Sequence, residues 1–346
     1  MPKRSRLSLT ALAIACALSL VSQPARSDDF LRGKTLTLQI GYPSGGGYDL
    51  NTRIFARHYG RHLPGNPTVV VANMPGAGSM KLANYLYSVA PKDGTMLGVF
   101  AASVALEPLF GNPQATYDTN KFSWIGSLTR DTPSCGVWKG AGQGIRTLAD
   151  LSNAKKDVLF GSSSPTATTS QHAFVLKKFA GAHLRVIHGY PSTSDIKLAL
   201  ERGELTGTCG LLASTVRSTF MEEYKSGVLK IIVQFGTTER VPLFGDATWI
   251  YDVAKNDDDR RVLDFIFKQA ELARPLAAPP AVPKDRVDLL RTAMLDTMKD
   301  PQLIADAARI GVEFEPVSGE ETAAVFASYY KMSEADIKRG LALMAE

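Results

Sequence analysis

Residues 35–62 read TLTLQIGYPSGGGYDLNTRIFARHYGRH, and this stretch carries three signals in a row. From Thr35 to Ile40 polar and apolar residues alternate, the period of a strand with one face buried. Gly45, Gly46 and Gly47 then supply a turn. Positions 50–62 carry apolar residues at helical spacing and stop before Pro64 and Gly65. A strand, a glycine-rich turn and a helix in that order make the opening unit of an α/β fold on a largely parallel sheet.

Outward from this unit the pattern repeats. Positions 69–72 read as a strand, 73–78 as a turn rich in Pro and Gly, 79–89 as a helix with Ser79 as its cap, and 95–100 as a strand. Past Trp124 the alternation restarts, with strands at 134–138, 157–160, 186–187 and 229–235 and helices at 147–151, 169–179 and 196–202. Pro275, Pro279, Pro280 and Pro283 punctuate the rest, followed by helices at 286–299, at 302–310 and from Gly319. A chain of 346 residues exceeds one comfortable core. Two lobes are expected: 28–128 together with 237–346, and 129–236, with chain crossings near 129 and 233.

The first residues have the order of a secretory signal peptide: Lys3, Arg4 and Arg6, an apolar run over 7–21, then Ala25, Arg26 and Ser27. Cleavage after Ser27 is expected. Cys16 would invite lipidation, but Ala13, Ile14 and Ala15 before it lack the usual Leu. Four of the 39 basic residues and none of the 34 acidic ones lie in the first 27 positions, so the remaining chain is close to neutral. Without a net basic field or a basic stripe interleaved with aromatics, nucleic acid is not an expected partner. Cys135 and Cys209 are free to pair in an oxidising compartment if the fold brings them together, which the sequence does not decide.

Two loops carry candidate chemistry. In 42–49, the residues Tyr42, Ser44, Gly45, Gly46 and Gly47 precede a helix start, where backbone N–H groups and the helix dipole favour an anion. No Lys-Ser/Thr follows the glycines, and the G-x-G-x-x-G spacing is missing, so nucleotide binding is not expected. Asp49 reads as the N-cap of the following helix. In 162–169, Ser162, Ser164, Thr168 and Thr169 crowd hydroxyl donors before a second helix, either for a ligand or to cap that helix.

Signs of catalysis are weak. His58 and His62 have i,i+4 spacing but no acidic third ligand nearby, so they read as structural and no metal is expected. His172 completes an apolar stripe with Val175, Leu176 and Phe179, which turns it toward a core. No Gly-x-Ser-x-Gly elbow occurs, and neither mature cysteine sits in a nucleophile motif; no catalytic residue is assigned and the protein is not expected to be an enzyme.

The order of segments is nonetheless specific. The glycine loop ending in Asp49 is followed by Val70-Val71-Ala72-Asn73-Met74-Pro75-Gly76-Ala77-Gly78 and by Asp93-Gly94-Thr95-Met96-Leu97. Further on come Tyr117-Asp118, Trp124-Ile125, Thr147-Leu148-Ala149-Asp150-Leu151, and 161–172. This order resembles the solute-binding receptors of the tripartite tricarboxylate transporters, the Bug family, over nearly the whole mature chain. The resemblance implies a type II periplasmic binding protein fold, two lobes closing on a small carboxylate, no cofactor, a periplasmic monomer and membrane permease subunits as partners. The gripping loops become 42–49 and 162–169. A sensor that docks on a signalling receptor, or a secreted hydrolase, are the alternatives. Where relatives carry Pro-Tyr-Lys-Gly, this chain has His188-Gly189-Tyr190-Pro191-Ser192. Tyr190 is expected at the ligand, and the loss of the Lys favours a neutral, aromatic or monocarboxylate ligand over a tricarboxylate.

Overall fold

The alternation at Thr35–Ile40 does what its period requires. In the computed structural model, which describes residues 30–140, 144–236, 240–312 and 314–346, Leu36, Leu38 and Ile40 are buried on one face of strand β1. Leu36 and Leu38 pack with Ile54, Phe55 and Tyr59 of the helix Gly47–Tyr59 in one core. Each such side chain removed from water contributes roughly 1.5–3 kcal/mol. The expected signal peptide and its cleavage point lie outside the described residues. Among the described residues no helix is long and apolar enough to cross a membrane.

Two six-stranded mixed sheets result. The first uses β1, β2 (Thr68–Asn73), β3 (Met96–Val99) and β4 (Ser123–Ser127). The second uses β5 (Pro133–Trp138), β6 (Val158–Gly161), β7 (Leu184–Ile187), β8 (Gly207–Leu212), β9 (Leu229–Gln234) and β10 (Thr248–Trp249). β11 (Pro275–Ala278) and β12 (Val317–Ser318) return to the first. The orders β2-β1-β3-β11-β4 and β7-β6-β8-β5-β9 match position by position. In each, three parallel strands joined by helical crossovers meet one antiparallel strand, β11 or β5. Each lobe therefore has its helix starts at one end of a parallel sheet, where α/β folds place ligands.

The chain passes from the first sheet to the second at 128–132, between β4 and β5. The second crossing does not fall near 233: β9 stays in the second sheet, and β10 pairs with it in parallel, Thr248 opposite Val233. The apolar run 229–235 fits a buried strand in either lobe, so composition could not choose. The tail also departs from the expected division. The helix Glu334–Met344, assigned by sequence to the first lobe, packs on the helix Thr168–Phe179 of the second lobe and on the helix Asp257–Phe267. Lys178 Nζ donates to the Ala342 carbonyl at 2.8 Å, and Gly340 lies flat against the Phe265 ring.

At the hinge the two crossings bond to each other. Leu128 N donates to Arg274 O at 3.0 Å, Ala273 N to Thr129 O at 3.2 Å, and Asp131 N to Ala270 O at 3.3 Å. Arg274 is fully buried there, 3.4 Å from Asp131 and from the Thr215 hydroxyl of the second lobe.

Cys135 of β5 and Cys209 of β8 form a disulfide, with Cα atoms 4.0 Å apart, where the register of the two strands shifts. The bond closes a loop whose ends are separated by 74 residues. Replacing both cysteines by Ala is expected to cost about 2–4 kcal/mol in denaturant unfolding, and reduction with dithiothreitol should reproduce the loss.

Candidate functional site

The helices Gly47–Tyr59 and Thr168–Phe179 start at the ends of β1 and β6, one in each lobe, and both starts open on the cleft between the sheets. Neither is closed by a side chain. Gly46 and Ala167 occupy the N-cap positions in extended conformation and offer no capping bond. In the second helix Ser170 N already bonds Ala167 O at 2.9 Å, which leaves the earlier amides of the turn for a ligand or water, and the two helix dipoles add positive potential from opposite sides. A third helix at the cleft, Thr193–Glu201, is already closed: Ser192 and Asp195 form a reciprocal capping box.

Of the residues singled out by sequence, Tyr42, Gly46, Gly47, Thr168 and Thr169 line this cleft. Gly47 is required by close approach, since a Cβ there would sit 2.7 Å from the Thr215 hydroxyl and 3.3 Å from the Arg274 guanidinium. The remaining candidates are not among the residues lining it. Asp49 is the third residue of its helix rather than its N-cap, because the helix begins three residues earlier than glycine propensity predicts. Its buried carboxylate accepts from Gly45 N at 3.0 Å, Ser44 Oγ at 3.1 Å, Arg53 Nε at 2.9 Å and Asn73 Nδ2 at 2.9 Å. Ser44 and Gly45 thus serve this network. Asn73, the residue that makes the second loop diagnostic, ties β2 to it.

Ser162 is fully buried and bonds Thr169 Oγ1 at 2.6 Å and Ser170 Oγ at 2.5 Å, so it sets the Thr169 rotamer from behind. Ser164 sits against the opposing lobe, where a Cβ on Gly78 would meet its Oγ at 2.8 Å. Tyr190 packs on the cluster of Ile196, Ala199 and Leu200, and its amide bonds Ser162 O at 3.1 Å. Ser79 does not cap its helix; its backbone is left-handed and its Oγ accepts from Ala101 N at 2.9 Å. His58 and His62 bond Asp306 and Asp300, each at 2.9 Å, and so pin the helix Pro301–Arg309 to the first lobe.

The cleft also holds Tyr48 and Ser163, which fall within the two predicted loops without being singled out there, and Pro191, Ile196 and Gly210, which sequence reasoning did not select. Tyr48 stacks on Tyr42 with ring centroids 4.5 Å apart, donates to Ala273 O at 3.0 Å, and lies 5.6 Å from the Arg274 guanidinium. Burial pushes its phenol up to about 12, partly offset by Arg274, so it is a neutral wall. Gly210 has φ +70, and a Cβ there would lie 3.0 Å from Thr169 N, against the second helix start. It reaches the site through the β8 pairing, a long-range fact that no local motif announces. Across the cleft mouth, Ser194 Oγ of the second lobe donates to Gly45 O of the first at 2.8 Å. Among the described residues lining the cleft, none is charged.

No family model matches the chain. A curated relative, "UPF0065 protein in gbd 5'region" of Cupriavidus necator, is 35% identical over 120 residues, 35% of this chain and 33% of the relative. The match thus spans about a third of that relative's length. Among solved structures, the periplasmic binding protein BugD superposes with a TM-score of 0.68 at 19% identity, covering 89% of this chain and 95% of its own. MatC from Rhodopseudomonas palustris, solved with bound malate, gives 0.67 at 17% identity, covering 90% and 98%. The two-lobe type II periplasmic-binding fold is therefore shared with the group that the Asn73 to Gly78 segment resembles.

Asp49 supplies a measurable signature of the helix start. Burial raises its pKa, but the bonds from Arg53, Asn73 and Gly45 outweigh burial and hold it below the ordinary value. Its contribution is fully present above the unfolded-state value of about 4 and is lost as pH falls through the lowered folded-state value. Asp49→Ala is expected to cost about 2 kcal/mol at pH 7. In urea unfolding the gap to the wild type should close as pH falls below about 4, and a gap constant from pH 7 to pH 3 would exclude the carboxylate as its source.

Proposed function

We propose that the protein is a Bug-type solute-binding receptor of the periplasm, which captures a small carboxylate between its lobes and delivers it to the permease subunits of a tripartite transporter. The observation that carries this reading is the pair of uncapped helix starts, one per lobe, facing a single cleft. A carboxylate held there satisfies orphan amides of both lobes at once and so favours closure. The bound malate in the MatC structure supports the same ligand class.

The cleft is arranged for holding rather than for chemistry. Its described lining supplies amides, hydroxyls and aromatic faces, with no carboxylate or ionised base among them. Ser162 bonds the hydroxyls of both Thr169 and Ser170 and so orients Thr169, the one of the three that lines the cleft. Release to a permease requires only that the lobes part. The receptor is expected to act as a monomer.

Thermal unfolding of residues 28–346 against a panel of carboxylates, amino acids and sugars tests the ligand class. A ligand at 100 times its Kd adds about 2.7 kcal/mol of stability, so the true class stands out as an upward shift, and silence from every carboxylate would refute the reading. Thr168→Pro tests the site. Pro is tolerated at the first helical position, and Ala167 already has the extended backbone that a following Pro requires. The variant removes an amide donor and a hydroxyl while keeping the helix. Carboxylate affinity should fall about tenfold or more, the loss expected for hydrogen bonds to a charged group, with little change in the melting temperature of the free protein.

A further inference from the structure

An inner chamber shares the wall residues Tyr48, Thr168 and Gly210 with the cleft. Ala102, Leu212 and Leu272 line it with apolar surface, and two polar side chains face it, His172 and Gln269. Both are almost wholly buried, 2% and 3% exposed. Both carry an atom without a hydrogen-bond partner in the protein: His172 Nδ1 and Gln269 Oε1. The Gln269 amide is oriented by its own Nε2, which donates to Ile266 O at 2.9 Å, so Oε1 is fixed as an unused acceptor. The His172 ring packs against the stacked pair Phe235 and Phe267, at centroid distances of 5.1 and 5.2 Å. The sequence stripe with Val175 and Leu176 turns His172 inward, and inward here includes a chamber that shares a wall with the cleft.

A buried polar atom left unpaired costs about 1–3 kcal/mol, and two that line one chamber are unusual in a settled core. Their chemistry limits the partner. Burial pushes the His172 pKa down to about 3, so its imidazole is neutral at physiological pH, with one donor and one acceptor nitrogen. No charged side chain is among the described residues lining the chamber. A second carboxylate there would be desolvated without a counter-charge. An apolar body with a neutral polar end suffers no such penalty.

We propose that this chamber is a second recognition subsite for the far end of the ligand, selecting a monocarboxylate whose aromatic or aliphatic body ends in a hydroxyl recognised by His172 and Gln269. The proposal rests on the receptor reading and adds the ligand's shape to it. The carboxylate occupies the helix starts, the body passes Tyr48, and the hydroxyl donates to Gln269 Oε1 or exchanges a hydrogen bond with His172 Nδ1. One helix joins the two subsites, since Thr168 opens it and His172 lies one turn further along.

Titration calorimetry of the full mature protein with benzoate, 4-hydroxybenzoate, 3-phenylpropanoate, 3-(4-hydroxyphenyl)propanoate and adipate decides the matter. In at least one of the two ring pairs the hydroxylated acid should bind about tenfold more tightly than its parent, the gain expected when an orphaned buried group finds its partner. His172→Phe and Gln269→Leu should each reduce that advantage while leaving the parent acid's affinity within about twofold. Equal affinities within both pairs, or adipate as the tightest ligand, would overturn the subsite while leaving the receptor reading intact. Failure of all five acids to bind the wild type, together with a thermal shift for sugars or amino acids alone, would remove the receptor reading and the subsite with it. The wild-type ranking decides even if a variant fails to fold.

Discussion

Every α-helix begins with amides that its own hydrogen-bond ladder cannot satisfy, and this protein leaves two such beginnings open toward each other. Among the described residues six helix starts are closed by side chains: Thr147 with Asp150, Ser192 with Asp195, Asn256, Asp300, Ser318 and Ser333 all accept from a first-turn amide. Gly46 and Ala167 offer no such bond, as is also true of other starts such as that of Lys284–Met298, and what distinguishes these two is that helices of 13 and 12 residues, with well-developed dipoles, open there on the cleft. Both starts are also held rigidly. The Asp49 network with Arg53 and Asn73 fixes one, and the Ser162, Thr169 and Ser170 hydroxyl ladder fixes the other. An open helix start that is also immobilised is a preorganised anion site, because little ordering remains to be done when the ligand arrives.

The sequence made one half of this arrangement more legible than the other. The period of Thr35–Ile40 and the three glycines after it identify a strand, a turn and a helix start, since each signal is local. The hydroxyl-rich segment before Thr168–Phe179 is equally local, and so both segments that reach the cleft could be located. What local reading could not give is which hydroxyl faces outward. Ser162 and Thr169 are alike in composition, and only the pairing of β6 with β8 turns the first inward and the second toward the cleft. The same limit applies to Gly210, to the pairing of Cys135 with Cys209, and to the position of the second crossing. Each is fixed by β-strand neighbours far apart in the chain, whereas Asp49 was misplaced by a local rule, the low helix propensity of glycine, that tertiary packing overrode.

The helix Glu334–Met344 shows how remote segments enter the site. By binding across Lys178 and Phe265 it covers the outer side of the helix that carries Thr168, Thr169 and His172. The hydrophobic contact of Gly340 with Phe265 needs the absence of a side chain, so the tail can lie close. One helix thus receives support at its far end from the C-terminus, while its open end meets the ligand. Stability and recognition are separated along its length.

The hinge completes the physical picture. A fully buried guanidinium is costly to desolvate, and Arg274 offsets that cost with Asp131, Thr215 and the face of Tyr48. Asp131 in turn accepts from Thr132 N and Ser214 N, so the two crossings and the second lobe share one buried charge pair. Gly47 lies directly against Thr215 and Arg274. Rotation of the lobes must therefore move the first helix start relative to Thr215, and a ligand bridging both helix starts opposes that movement. With no free cation in the described cleft lining, the proposed grip on a carboxylate rests on the amides and hydroxyls of two helix starts that belong to different lobes, so that parting the lobes separates the two halves of the grip.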